Sequence, residues 1–158
     1  MAILNIVKEG DETLAKVCRP VTEITPRIRT LIEDMKETLE DADGAGLAAP
    51  QVGILRRICV VDTGEALVAL INPEITETEG EQQDVEGCLS VPDVWGITDR
   101  PARVKVRALN EKGEEITVEG EGLLARCLCH ELDHLDGKLF TDRVVRYLTA
   151  EEVMEMRK

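Results

Sequence analysis

The chain reads as an α+β domain, and three stretches carry that reading. Ile28, Leu31, Ile32, Met35 and Leu39 repeat at helical spacing. Over 102–109 the spacing switches to alternation, with Val104 and Val106 set between Arg103, Lys105 and Arg107, and helical spacing returns at Leu124, Cys127, Leu128, Leu132 and Leu135. Strands in the middle and helices near both ends follow the order of an α+β fold. A chain of 158 residues is long enough to bury a substantial core as one unit. No internal repeat, low-complexity tract or linker divides it, so a single domain over 1–158 is expected.

The elements follow in order. Residues 3–21 mix short apolar runs with charge and end at Pro20-Val21. Thr25 is a good N-cap, because its hydroxyl can accept from an unpaired N–H of the first turn, and Pro26 suits the first helical position, where no N–H is needed. Gly44 supplies the stop. Residues 44–53 are small and glycine-rich and read as a loop. Strand-like segments follow at 57–61, 66–71 and, more weakly, 75–78. Glu111-Lys112-Gly113 turns the strand at 102–109 into a partner at 115–118. The second helix runs over 123–135 and stops at Gly137; Thr149-Ala150-Glu151-Glu152 has the form of a capping box that opens a short last helix.

Composition excludes some functions. The net charge is −13, and Phe140, Tyr147 and Trp95 are the only aromatic residues. The core is therefore aliphatic, and a surface that stacks bases or tracks a phosphate backbone is hard to build, so no DNA partner is expected. No apolar run approaches the length of a membrane span, and the N-terminus has neither the basic flank and apolar stretch of a secretory signal nor the arginines of a transit peptide. The expectation is a soluble, cytoplasmic protein without a membrane partner. Five cysteines, Cys18, Cys59, Cys88, Cys127 and Cys129, form an odd set that suits reduced thiols, and a reduced thiol can serve as a metal ligand.

The chemistry centres on His130-Glu131-Leu132-Asp133-His134, which holds the only two histidines. Residues four apart share a helical face, so both imidazoles can converge on one ion. Glu131 projects about 100° round from His130, where its carboxylate reaches a water at the metal rather than the metal itself. Two randomly placed histidines fall this way, with Glu after the first, roughly once in 600 chains of this composition, which weighs against two unrelated surface histidines. An open catalytic site needs a third protein ligand. Glu151, Glu152 and Glu155 sit in an acidic tail that reads as an exposed helix. Cys88, in Glu86-Gly87-Cys88-Leu89-Ser90 between an expected strand and Pro92, is a better candidate, because a fixed loop there could aim its thiolate. Cys127 and Cys129 compete, and a lone cysteine is more often a small buried hydrophobe, so the residues alone leave the choice open. Gly44-Ala45-Gly46-Leu47-Ala48-Ala49-Pro50-Gln51 lacks the residues of a phosphate cradle. Its small side chains either let a substrate backbone approach, with the Gln51 amide as donor, or form a packing turn.

Taken together, 44–51, 86–90 and 130–134 resemble the three signature motifs of the peptide deformylases in sequence, order and approximate separation. The likeness extends from Ile3-Leu4 and Pro20-Val21 to Leu135-Asp136-Gly137-Lys138-Leu139-Phe140. It implies antiparallel sheets packed around a central helix that carries the metal motif, and an enzyme that removes the formyl group from the N-terminal methionine of newly made polypeptides. It implies that Cys88, His130 and His134 hold one divalent metal, ferrous iron in the cell with zinc as a common substitute; such ligation also tolerates nickel or cobalt. Glu131 is then the general base, and the Gln51 amide and the Leu89 N–H are the oxyanion donors. The peptide lies extended beside Ala45, Gly46 and Gly87, with its methionine side chain near Leu123, Arg126 and Cys127. Arg100 either pairs with Glu86 and steadies the Cys88 loop or is one of two separate surface charges.

The sequence departs from the family pattern at Cys129, commonly Gln, at Ala45, often a larger aliphatic residue, and at Trp95, a variable rim position expected to touch substrate. Family members work near the ribosomal exit, some docking through a basic C-terminal helix. Here Glu151, Glu152 and Glu155 stand against Arg157 and Lys158, so only weak ribosome association is expected. Two other readings compete: a zinc peptidase, which leaves the two loop motifs unexplained, and a structural metal module, which would close all four positions with Cys or His.

Overall fold

A computed structural model describes residues 2–156; Arg157 and Lys158 of the acidic tail lie outside the described residues. Helix α1 (Pro26–Ala42) opens as expected, with the Ile28 N–H donating to Thr25 Oγ1 at 3.2 Å. Its end differs from the expectation. Asp43, not Gly44, takes the left-handed turn at φ 53°, and the Gly44 N–H closes back on Leu39 O. Asp is among the few side chains that tolerate that conformation.

The strands are β1 (Gly46–Ala48), β2 (Ile58–Asp62), β3 (Leu67–Glu79), β4 (Gln82–Cys88), β5 (Val91–Arg100), β6 (Arg103–Leu109), β7 (Glu115–Glu121) and, after helix α2 (Gly122–Leu135), β8 (Val144–Tyr147); helix α3 (Ala150–Met156) comes last. All pairings between strands are antiparallel. One sheet has the order β1-β2-β3-β6-β7 and the other β4-β5-β8.

The larger sheet is covered on both faces. Cys59 and Val61 of β2 pack with Ala125, Leu128, Leu132 and Leu135 of α2, whereas Ile58 and Val60 pack with Ile32, Met35 and Leu39 of α1. The period-2 geometry of a strand sends neighbouring side chains to opposite faces, which is why β2 is apolar from Ile58 to Val61 and turns polar only at its exposed end, Asp62. Helix α2 also touches the smaller sheet: Arg126 Nη1 donates to Val85 O on β4, and Asp133 meets Arg100 at the end of β5. The motif helix therefore lies between antiparallel sheets.

Several expectations need correction. Residues 44–53 are not a loop: 46–48 form β1, paired Gly46↔Val61, and Ala49–Val52 is one 3-10 turn. Ala and Gly are weak strand formers, so pairing with β2, not propensity, makes this strand. Segments 66–71 and 75–78 are one strand with an irregularity between Ile71 and Glu74. Strands β5 and β8 were not expected, and β4 only as a strand of unstated bounds ahead of Cys88; β4 and β8 are largely polar or exposed and carry no clean alternation. Cys88 is held at the end of β4, beside a tight turn, where a fixed loop was expected. The last helix opens on a reciprocal box, Glu152 N–H to Thr149 Oγ1 and Thr149 N–H to Glu152 Oε1, each 3.1 Å. Among the described residues no helix is long and apolar enough to cross a membrane. All five cysteines are free thiols.

Candidate active site

Helix α2 presents His130 and His134 one turn apart, both buried, with their Nε2 atoms 3.2 Å from each other. Cys88 Sγ, at the end of β4, lies 3.3 Å from His134 Nε2. These three ligand atoms fall within 4.8 Å of one another and are the only such His, Cys, Asp or Glu group among the described residues. Ligand bonds of about 2.0–2.3 Å at tetrahedral angles give edges of roughly 3.3–3.6 Å, so the donor set fits a single divalent ion.

The histidine tautomer has a structural cause. His130 Nδ1–H donates to Glu86 Oε2 at 2.6 Å, which leaves the Nε2 lone pair facing the cluster. Glu86 in turn accepts from Thr98 Oγ1 at 2.8 Å and from Arg100 Nη2 at 2.7 Å, while Arg100 Nη1 reaches Asp133 Oδ2 at 2.6 Å. The alternative of two surface charges is therefore wrong, since the Arg100 and Glu86 side chains are only 3% and 7% exposed. Burial works against the Glu86 carboxylate, but the hydrogen bonds from His130 and Arg100 outweigh it and hold the group at about 2. Because that value lies below the unfolded one, the pairing stabilises the fold above the ordinary carboxylate range, and the contribution is lost as pH falls towards 2. Arg100→Ala leaves a buried carboxylate half-paired, and a loss of roughly 3–5 kcal/mol is expected by urea unfolding of the metal-loaded protein. A change below about 0.5 kcal/mol, the size typical of an exposed pair, would show that the ion pair is not buried in solution.

Glu131 follows His130 and is also buried. Its Oε1 has no hydrogen-bond partner among the described residues. Burial pushes the carboxyl up to about 7, with His130 opposing and Glu86 reinforcing the shift. The carboxylate lies against the backbone of β1: a Cβ on Gly46 would sit 2.5 Å from Glu131 Oε2 and 2.8 Å from Cys127 Sγ. Gly46 is small because the helix packs against it. Gly87 is constrained in the same way, since a Cβ there would overlap the six-membered ring of Trp95. Sequence reasoning left the small residues of 44–51 open between substrate approach and a packing turn, and it did not see these particular contacts.

Gln51 is anchored at both ends of its amide. Oε1 accepts from the Ala48 N–H at 2.9 Å, and Nε2 donates to Ser90 Oγ at 3.1 Å while lying 3.7 Å from Cys88 Sγ. An open cavity of about 410 Å³ spreads over these groups. Ala45, Gly46, Gln51, Gly87, Cys88, Leu89, Trp95, Leu123, Arg126, Cys127, His130 and Glu131 all line it, and His134 sits behind the wall. Leu123 is 63% exposed and forms the rim. Pro92, Asp93 and Val94 also line the cavity, and sequence reasoning missed them. The ladder pairs Glu86 with Gly96 and Cys88 with Val91, so 92–95 bulge out of register opposite Gly87 and make a wall. Pro92, a poor residue for a regular strand, was the available signal.

The other candidate ligands lie elsewhere. Cys129 packs in the core against α2's apolar neighbours, and burial pushes its thiol up to about 11. Cys127 donates to Ala45 O at 3.3 Å, and burial raises its thiol well above the ordinary cysteine range as well. Glu152 is tied to Arg146 at 2.9 Å, and neither Glu151 nor Glu155 belongs to the donor cluster.

Three donors on one side of a point, a proton acceptor beside them and an open cavity above suit a metal-dependent hydrolase; a structural knot would close every position. Residues 3–149 match the family model described as polypeptide deformylase. The chain is 59% identical over 158 residues to a peptide deformylase of Acetivibrio thermocellus, covering 100% of this chain and 92% of that one. It is 60% identical over 144 residues to peptide deformylase 1 of Clostridium acetobutylicum, covering 91% and 96%. The crystal structure of peptide deformylase from Thermotoga maritima superposes with a TM-score of 0.87 at 44% identity, covering 90% of this chain and 97% of that one. The chain belongs to the polypeptide deformylase family, and it is a metal-dependent enzyme that removes the N-formyl group from newly made polypeptides.

Proposed function

We propose that Cys88, His130 and His134 hold one divalent ion, ferrous iron in the cell with zinc, nickel or cobalt as substitutes, and that the substrate is an N-formylmethionyl peptide. The observation that carries the reading is Glu131: a buried carboxylate in the cavity wall, beside the donor cluster, with an oxygen that no group among the described residues satisfies. When bound, the ion supplies Lewis-acid activation of a water and of the formyl carbonyl.

The chain's own groups do the rest. Glu131 accepts the proton of the attacking water and delivers it to the departing amine nitrogen. The Gln51 amide hydrogen on the Cys88 side and the Leu89 N–H receive the charge that develops on the formyl oxygen. Strands β1 and β4 are the end strands of their sheets, and both contribute to the cavity. An extended peptide lying between Ala45-Gly46 and Gly87 pairs with these edges as an added strand. Leu123, Arg126 and Cys127 enclose its methionine side chain, and Trp95 contacts it at the rim.

Free thiols and a newly made substrate favour the cytoplasm. Helix α3 carries Glu151, Glu152 and Glu155 and no Lys or Arg, so docking to ribosomal RNA through it is weak; tight co-sedimentation with ribosomes that needs this helix at physiological salt would contradict this.

Substrate choice tests the whole reading. The formyl carbon bears only hydrogen and fits a walled site, whereas an acetyl group adds a methyl and is less electrophilic. Formyl-methionyl peptides should be cleaved far faster than acetyl-methionyl ones. Formyl-norleucyl peptides remain good substrates, because apolar pockets separate similar side chains by only about 1–3 kcal/mol. Equal kcat/KM for formyl and acetyl peptides would overturn the formyl-specific site.

A further inference from the structure

The two proposed oxyanion donors belong to different parts of the fold. Gln51 lies in the 3-10 turn after β1, and Leu89 in the turn between β4 and β5. Three consecutive residues near the N-terminus reach both. The Val7 N–H donates to Gln51 O at 2.6 Å, and the Glu9 N–H donates to Ser90 O at 2.7 Å. Between them, Lys8 Nζ donates to Leu89 O at 3.3 Å.

This segment is itself fixed. The Leu4 N–H donates to Thr38 Oγ1 of α1 at 2.8 Å, and Leu4 and Ile6 pack on the core between α1 and the larger sheet.

We infer that Val7-Lys8-Glu9 is a strap that sets the separation and orientation of Gln51 and the Leu89 N–H, and so positions the oxyanion site without touching substrate; the inference rests on the donor roles proposed above. A two-residue turn is free to rock its peptide planes, and a rocking plane misdirects its N–H. The Leu89 N–H lies in the Cys88–Leu89 peptide plane, next to the Cys88↔Val91 ladder pair. The two following planes of the turn are held through their carbonyls, Leu89 O by Lys8 and Ser90 O by the Glu9 N–H, so the donor's plane has a fixed neighbour on each side. Holding Gln51 O from the same segment ties the backbone that carries the Gln51 side chain to the turn that carries the Leu89 N–H. Donors aimed where charge develops act without reorganising, so their benefit depends on such outside support.

The strap predicts an effect on turnover and not on substrate or metal binding. Replacing the amide N–H of residue 9 by an ester oxygen, through the α-hydroxy acid analogue of glutamate, removes the bond to Ser90 O, keeps every side chain, and otherwise weakens only the Lys8 carbonyl that accepts from the Asp11 N–H. With one metal ion per chain, kcat should fall on the order of tenfold while KM stays within about twofold, because small misplacements of positioned groups act on the reacting geometry. The equivalent ester at residue 7 should behave in the same way. Lys8→Ala should lower kcat a few-fold, and Lys8→Arg should restore it, since its guanidinium is another long N–H donor able to reach the Leu89 carbonyl. Unchanged kcat in both metal-loaded esters, or a fall in kcat only in step with lost metal, overturns the strap. Gln51→Ala assayed in parallel separates the two ideas. If it lowers kcat while the esters do not, the strap fails and the donor reading stands; if it leaves kcat unchanged, the donor reading fails and the strap with it.

Discussion

Glu131→Ala is expected to keep its fold and one metal ion per chain and to lose roughly 10²–10⁴-fold in turnover, the range that a positioned general base contributes. The argument rests on what the side chain does and does not touch. Glu131 is buried 3% exposed, yet its Oε1 has no partner among the described residues and it is not one of the three clustered donors. Removing it breaks no bond on which His130, Cys88 or His134 depends. Taking an incompletely satisfied carboxylate out of a buried wall also removes a desolvation cost, so the melting temperature of the variant should hold or rise. The loss should appear in kcat, because proton transfer is a feature of the transition state and not of substrate binding. Near-normal turnover in a metal-loaded Glu131→Ala would mean that another group moves the proton.

Cys88→Ala should instead lose the metal. Loss of a group that merely hydrogen-bonds to a ligand costs roughly 10–100-fold in metal affinity, and removing a ligand from a set of three should cost more. Elemental analysis after dialysis should find Cys88→Ala essentially metal-free and inactive, while Cys129→Ala retains about one ion per chain. The contrast follows from placement, with Cys88 Sγ 3.3 Å from His134 Nε2 and Cys129 packed into the apolar core with a thiol that burial keeps protonated. Full metal retention in Cys88→Ala, with Cys129→Ala metal-free, would transfer the ligand role to the other cysteine.

These variants probe a site whose parts were unequally visible beforehand. The helix of the two histidines was plain, and so was its apolar face. The third donor was not: its place ahead of Pro92 favoured Cys88, but Cys127 and Cys129 competed with it, and likeness to a family was needed to choose. The edge strand at 46–48 was hidden by its alanine and glycine, and the bounds of β4 and the whole of β8 by their polarity. In each case the strand exists through its pairing partner, and single-strand propensity carries no record of that partner.

What the sequence determined by itself is what neighbours along the chain can settle. The His130–His134 spacing places two imidazoles on one face through the 3.6-residue turn, Thr25 and Pro26 start α1, and Thr149 with Glu152 starts α3; each is a contact within one turn of helix. Only the tertiary structure decided which thiol joins the histidines, that Arg100 and Glu86 form a buried pair, that Gly46 is small to admit Glu131, and that 92–95 wall the cavity. Those contacts join Cys88 to His134 across 46 positions and Glu86 to His130 across 44. Separations of that size carry no periodic signal, because they are set by how two sheets close around one helix.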